Sequence, residues 1–206
     1  MKTIVTGASG ALGKVVCEHL AANGHDVAAV RGVDLSDAAQ ATAVITELAG
    51  GSGIRGLVNI AGGFAWETIA AGSVDTWDRM WTLNVKTTLN SCRAALPHLQ
   101  DGTSAIVNVG AAAAARATTG MGAYAASKAA VARLTEALGD ELKPRNIRVN
   151  AVLPSIIDTA ANRADMPDAD TSTWVSTEQL AHAIAFLLSA DASGITATLL
   201  PVTGKL

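Results

Sequence analysis

The 206-residue sequence predicts an α/β protein with a mainly parallel sheet. Three observations lead there. Short runs rich in Val and Ile alternate with longer helical patterns along the whole chain. Half of the residues are apolar but only 3% are aromatic, so small side chains must fill the core and let helices lie close to a sheet. A glycine-rich turn also stands between the first apolar run and the first helical pattern.

Lys2–Thr6 reads as a short buried strand, followed by the turn Gly7-Ala8-Ser9-Gly10-Ala11-Leu12-Gly13. Leu12, Val15, Val16, His19 and Leu20 then keep helical spacing until Asn23-Gly24 stops the helix. Residues 26–30 form the second strand and Ala38–Ala49 the next helix. A glycine-rich loop leads to a strand at 55–60, and residues 74–100 read as one long helix. A strand at 104–109 precedes an alanine run at 111–115, and a helix follows at 123–142. A strand at 147–152 ends near Pro154. Ser176 and Gln179 have capping-box spacing for a helix to 189, and a strand at 196–202 closes the pattern.

Residues 27–30 and 33–35 both look strand-like, but only Arg31-Gly32 separates them. Parallel neighbours need a crossover of roughly a dozen residues or more. The expectation is therefore a three-layer, doubly wound, Rossmann-type sheet of six strands, with one edge strand and its helix missing. It forms a single domain over 1–206. The stretch 155–174 is rich in Asp, Thr, Ser and Pro and follows a strand's C-terminal end, where such sheets bind ligands, so it is expected to be a substrate lid.

Bulk properties exclude several classes. A net charge of −3 leaves no basic footprint for nucleic acid. Cys17 and Cys92 are isolated and the four His residues lack metal-ligand spacing, which points to a reducing cytoplasm and no metal. No apolar run approaches the ~20 residues that span a bilayer, and the first residues do not read as a signal peptide.

A glycine turn between strand and helix lets main-chain N–H groups approach a pyrophosphate, and the helix N-terminus favours the anion. Gly7, Gly10 and Gly13 supply such a turn. Arg31, after the second strand, leans the choice between NAD and NADP toward NADP, with Asp34 close by as the opposing signal. Tyr124 and Lys128 lie one helical turn apart, so both project from one face. An ammonium there is expected to lower the phenol's pKa and make it a proton donor or acceptor near neutral pH.

Taken together, the chain resembles the short-chain dehydrogenase/reductase family over nearly its whole length. The resembling segments are the 6–13 turn, Asp34-Leu35, Asn59-Ile60-Ala61-Gly62, Trp77-Asp78 with Asn84-Val85 and Pro97, Tyr124-x-x-x-Lys128, and Pro154 with Thr159. The resemblance implies that Tyr124 is the general acid in reduction. Lys128 would hold the nicotinamide ribose, and Asn84 a water that relays protons. It further implies cofactor contacts from Gly7, Ser9, Gly10, Ala11, Leu12, Gly13, Arg31, Asp34, Leu35, Asn59, Ala61, Gly62, Pro154, Ile157 and Thr159. A homodimer or homotetramer is implied as well.

The departures are as informative. Thirteen residues before Tyr124, where the family has a Ser that donates to the reacting oxygen, stands Ala111. Losing such a donor costs roughly 10²–10³ in rate. Ile60 and Ser155 also differ from the pattern. The dihydropteridine reductase subgroup lacks that Ser too, and its electron-poor quinonoid pterin needs no oxyanion donor. The second half is similar to that subgroup at Gly120-Met121, Leu153-Pro154, Asp158-Thr159, Asn162-Arg163, 166–170 and Trp174. Phe64, Trp174 and position 111 are the expected substrate contacts. Two alternatives stay open: an ordinary carbonyl reductase with water or Thr118/Thr119 as donor, and a nucleotide-binding sensor or partner subunit without turnover.

Overall fold

The computed structural model describes residues 1–205. Six strands, β1 (Lys2–Thr6), β2 (Asp26–Ala29), β3 (Ile54–Asn59), β4 (Ala105–Val109), β5 (Arg148–Pro154) and β6 (Leu199–Val202), form one sheet in the order β2-β1-β3-β4-β5-β6. Every pairing is parallel. The order reverses at β1, so the crevice at the C-terminal ends of β1 and β3 is the switch point where such sheets bind ligands. The six-strand Rossmann-type expectation holds. β2 and β6 are the two edges, and residues 33–35 join no strand. Asn90 Nδ2 instead donates to the carbonyls of Leu35 (3.1 Å) and Ser36 (2.9 Å), folding that segment onto a helix.

Alternating strand residues face opposite layers. Ile4, Leu57 and Ile106 pack against helices α2 (Ala38–Ala49), α4 (Thr87–Ala95) and α5 (Gly122–Glu141). Val5, Val58 and Val107 pack against α1 (Ala11–Ala22) and α7 (Thr177–Leu188). Fully burying each such side chain contributes roughly 1.5–3 kcal/mol. The expected box at the start of α7 is present: Gln179 N donates to Ser176 Oγ, and Ser176 N donates to Gln179 Oε1.

Two expectations are corrected. The helical stretch expected over 74–100 runs unbroken from 74 to 98, but it is not one regular α-helix: it passes through α3 (Val74–Met80), a π-helical turn (Trp81–Lys86), α4 and a 3₁₀ turn (Leu96–His98). Thr87 and Thr88 hydroxyls donate to the Leu83 and Asn84 carbonyls (2.6 and 2.8 Å), satisfying groups the wider turn loosens. The 155–174 stretch is not all loop. It contains helix α6 (Ala160–Asp165), which Thr159 caps by accepting from Asn162 N. No described helix is long and apolar enough to cross a membrane.

Candidate active site

The turn after β1 is shaped by close main-chain contact. Gly7 has φ +66°, and a Cβ on it would fall 2.7 Å from Ala61 N. A Cβ on Gly13 would fall 2.2 Å from Gly7 O. Thr6 Oγ1 accepts from Ile60 N (3.1 Å) and Ala61 N (3.3 Å), fastening the end of β3 to the end of β1. Gly10 differs: a Cβ there would meet only Gly7 O, at 3.5 Å. Gly10 is the N-cap of α1 and gives it no side-chain cap, while Ser9 and Ala11 beside it are exposed. Uncapped N–H groups above an open glycine suit a pyrophosphate. The residues present therefore fit a dinucleotide.

Other expected cofactor residues fall around this crevice with differing freedom. Arg31 is exposed beyond β2. Asp34 is exposed, and Ser36 donates to its carboxylate from both N and Oγ, holding its pKa below the usual range. The side chain of Leu35 is buried in the core. Asn59 is also buried, donating to Asn108 Oδ1 (2.9 Å) and Cys92 Sγ (3.3 Å). Any cofactor contact by Asn59 thus runs through its main chain. Pro154 ends β5, Ile157 pairs with Val175 in an isolated parallel bridge, and Thr159 caps α6.

The helix α5 brings Tyr124 and Lys128 together, with Nζ 5.9 Å from the phenol ring centroid. Lys128 is buried and donates to Val109 O at the end of β4 (2.8 Å). Burial pushes the Lys128 ammonium down to about 8 and the Tyr124 phenol up to about 12. The expected lowering of the Tyr124 pKa is thereby corrected. Both charged forms lose hydration, and burial is the cause at each group.

Asn84 lies on the π-helical turn and is buried. Its Oδ1 accepts from Gly63 N (2.9 Å), and its Nδ2 donates to Gly63 O (3.1 Å) and Ser127 Oγ (2.9 Å). Ser127 Oγ donates in turn to Tyr124 O (2.7 Å). Asn84 thus clasps the 62–63 loop to the helix of the Tyr/Lys pair. A Cβ on Gly62 would fall 2.5 Å from Asn84 Oδ1, so glycine is needed there.

Ala111, the position expected to face the acceptor, is buried, and its methyl side chain cannot donate a hydrogen bond. The Phe64 ring meets the Tyr124 ring edge-on, centroids 4.9 Å apart. Trp174 is only 7% exposed, and Lys205 N donates to Thr173 O beside it, which gives it a packing role at the end of the 155–174 stretch. Sequence reasoning did not place Ser127 or Trp66 near the site. The spacing Phe64-x-Trp66 after two glycines was the available signal for Trp66.

A family profile described as enoyl-(acyl carrier protein) reductase matches residues 1–204. The chain is 32% identical over 189 residues to 2-(S)-hydroxypropyl-CoM dehydrogenase 3 of Xanthobacter autotrophicus, covering 84% of this chain and 74% of that one. It is equally identical over 189 residues to a relative from the same organism named inactive 2-(S)-hydroxypropyl-CoM dehydrogenase 2, covering 84% and 82%. Among solved structures, a blue fluorescent protein from a metagenomic library, in complex with NADPH, superposes with a TM-score of 0.89 at 27% identity, covering 99% and 97%. The chain belongs to the short-chain dehydrogenase/reductase family, whose members are NAD(P)-dependent oxidoreductases.

Proposed function

We propose that this short-chain dehydrogenase/reductase reduces an electron-poor, activated acceptor such as a quinonoid dihydropterin. One observation carries the reading: the Tyr124–Lys128 pair is retained while the acceptor-side position is Ala111. An activated acceptor takes hydride without a strong donor at its developing oxyanion, whereas a simple ketone needs one.

Bound in the crevice, the nicotinamide dinucleotide would supply the hydride. Gly7, Ser9, Gly10, Ala11, Leu12 and Gly13 would hold the pyrophosphate. Asp34, Leu35, the main chain of Asn59, Ala61, Gly62, Pro154, Ile157 and Thr159 would line the remainder. Arg31, exposed after β2, would meet a ribose 2′-phosphate and so favour NADP, as in the NADPH complex of the blue fluorescent relative.

With its pKa near 12, Tyr124 keeps its proton at neutral pH, which suits an acid rather than a base. Its Oη would protonate the reduced acceptor. Lys128, charged below about pH 8, would hold the nicotinamide ribose and offset the phenolate left behind. Asn84 would fix the loop at 62–63 and steer a relay water toward Lys128. Residues 155–174 would close over the bound ligands as a lid, and the protein would work as a homodimer or homotetramer.

The test is NADH and NADPH oxidation with quinonoid dihydropterin, run beside Tyr124→Phe. The wild type should turn over above the non-enzymatic background, and Tyr124→Phe should lose roughly 10²–10⁴ in kcat. Unchanged turnover in Tyr124→Phe would remove the proton role. A second reading, a nucleotide-binding protein without turnover, draws on Ala111 and on the relative named inactive. Tight dinucleotide binding with no hydride transfer to any activated acceptor would select it.

A further inference from the structure

Near the start of α5 stand two large rings that the fold leaves open to solvent, one against the Tyr124 ring and one against Gly120. Phe64 is 55% exposed and Trp66 is 61% exposed. Neither is loose. The Phe64 ring abuts Tyr124 edge-on, with an interplanar angle of 77°. The indole of Trp66 lies against Gly120, where a Cβ would fall 2.2 Å from Cε2 and 2.3 Å from Nε1. Gly120 has φ +77°, so glycine is required there for its backbone as well as for space.

The segment carrying both rings is pinned at each end. Glu67 N donates to Gly120 O (2.8 Å), and the Asn84 clasp holds Gly63. Phe64 reaches Tyr124 and Trp66 reaches Gly120, so both side chains face the start of α5, where the catalytic pair begins. Main-chain contacts therefore position two rings that burial does not. Fixed, exposed rings beside a reactive group mark a ligand wall. With Ala111 in place of a hydroxyl donor, the acceptor's orientation would come from shape and stacking.

We propose that Trp66, with Phe64, is the specificity-determining wall of the acceptor site, stacking planar fused-ring acceptors in preference to small aliphatic carbonyls. The inference rests on the reductase reading for the fate of the acceptor, while binding can be measured without it. One indole face lies on Gly120 and the open face receives the acceptor. Offset or edge-on contact with Phe64 completes the slot.

The test compares two 1,2-dicarbonyl compounds of unlike shape, 9,10-phenanthrenequinone and 2,3-butanedione, each variant being referred to the wild-type value for the same compound. Calorimetric titration of phenanthrenequinone into protein loaded with oxidised dinucleotide reads binding without turnover. Trp66→Ala should raise its Kd and its KM about tenfold, while Trp66→Phe stays within about threefold of wild type. Phe186→Ala, an exposed ring on α7, controls for non-specific contact. The KM for butanedione should change by less than about twofold in Trp66→Ala, because no ring is there to stack. Equal Kd in wild type and Trp66→Ala, or equal KM shifts for both diketones, would overturn the wall. Trp66-dependent binding without turnover in the wild type supports the wall and counts against the reductase reading. Normal turnover indifferent to Trp66 does the reverse.

Discussion

The turn after β1 and the loop after β3 lie at the C-terminal end of the same sheet, yet opposite means build them. In the turn, Gly7 and Gly13 exist because neighbouring main chain occupies the space a Cβ would need. In the loop, Phe64 and Trp66 are large, exposed and held by the backbone on either side of them. Hard sterics dictate identity in the turn, so substitution there harms the fold. The fold tolerates many residues at the exposed loop positions, so identity there is free to serve a ligand.

The largest expected effect falls on the acceptor side. Ala111→Ser would restore the donor the family carries at that position and raise kcat/KM for simple ketones by roughly 10²–10³. Thermal stability should change little. Steady-state assays with an aliphatic ketone check it. No gain would mean that a missing donor does not explain the site.

Next comes a contrast within the turn itself. Gly13→Ala drives a Cβ into Gly7 O and should cost about 3 kcal/mol in denaturant unfolding. Gly10→Ala should keep stability within about 1 kcal/mol and still weaken dinucleotide binding, because its open space faces the ligand. If the two variants lose stability equally, the division between fold glycine and ligand glycine is wrong.

The last effect is on stability against pH. Lys128 has a folded pKa near 8, below its unfolded value, so between about pH 8 and 10 the unfolded chain binds more protons and stability rises. Tyr124 has a folded pKa near 12, above its unfolded value, so above about pH 10 the native state binds more protons and stability falls. Unfolding curves from pH 7 to 11 should show that maximum. Lys128→Met should flatten the rising limb.

Much of this was legible in the chain. The bounds of β1 and α2 follow from apolar runs and local stops, and the box at Ser176 and Gln179 from spacing alone. The Tyr124–Lys128 pair needed only one helical turn. The π-helical turn at Trp81–Lys86 was hidden, because Trp77, Met80, Trp81, Val85 and Leu89 keep an apolar rhythm through it. What marks it is the Asn84–Gly63 clasp, between residues 21 apart. Such a contact has no local signal.

By itself the sequence determined the layers, the strand count and the glycine turn, since periodicity and backbone sterics act between neighbours in the chain. Only the tertiary structure decided the state of the chemical groups. It buried Lys128 beneath Val109 O and raised the Tyr124 phenol instead of lowering it. It turned Asn59 inward and left Trp66 open over Gly120. Charge stability depends on how much water surrounding elements remove, and a side chain's reach on which distant segment is brought beside it. Both are properties of packing, which exists only once the sheet and its helices have come together.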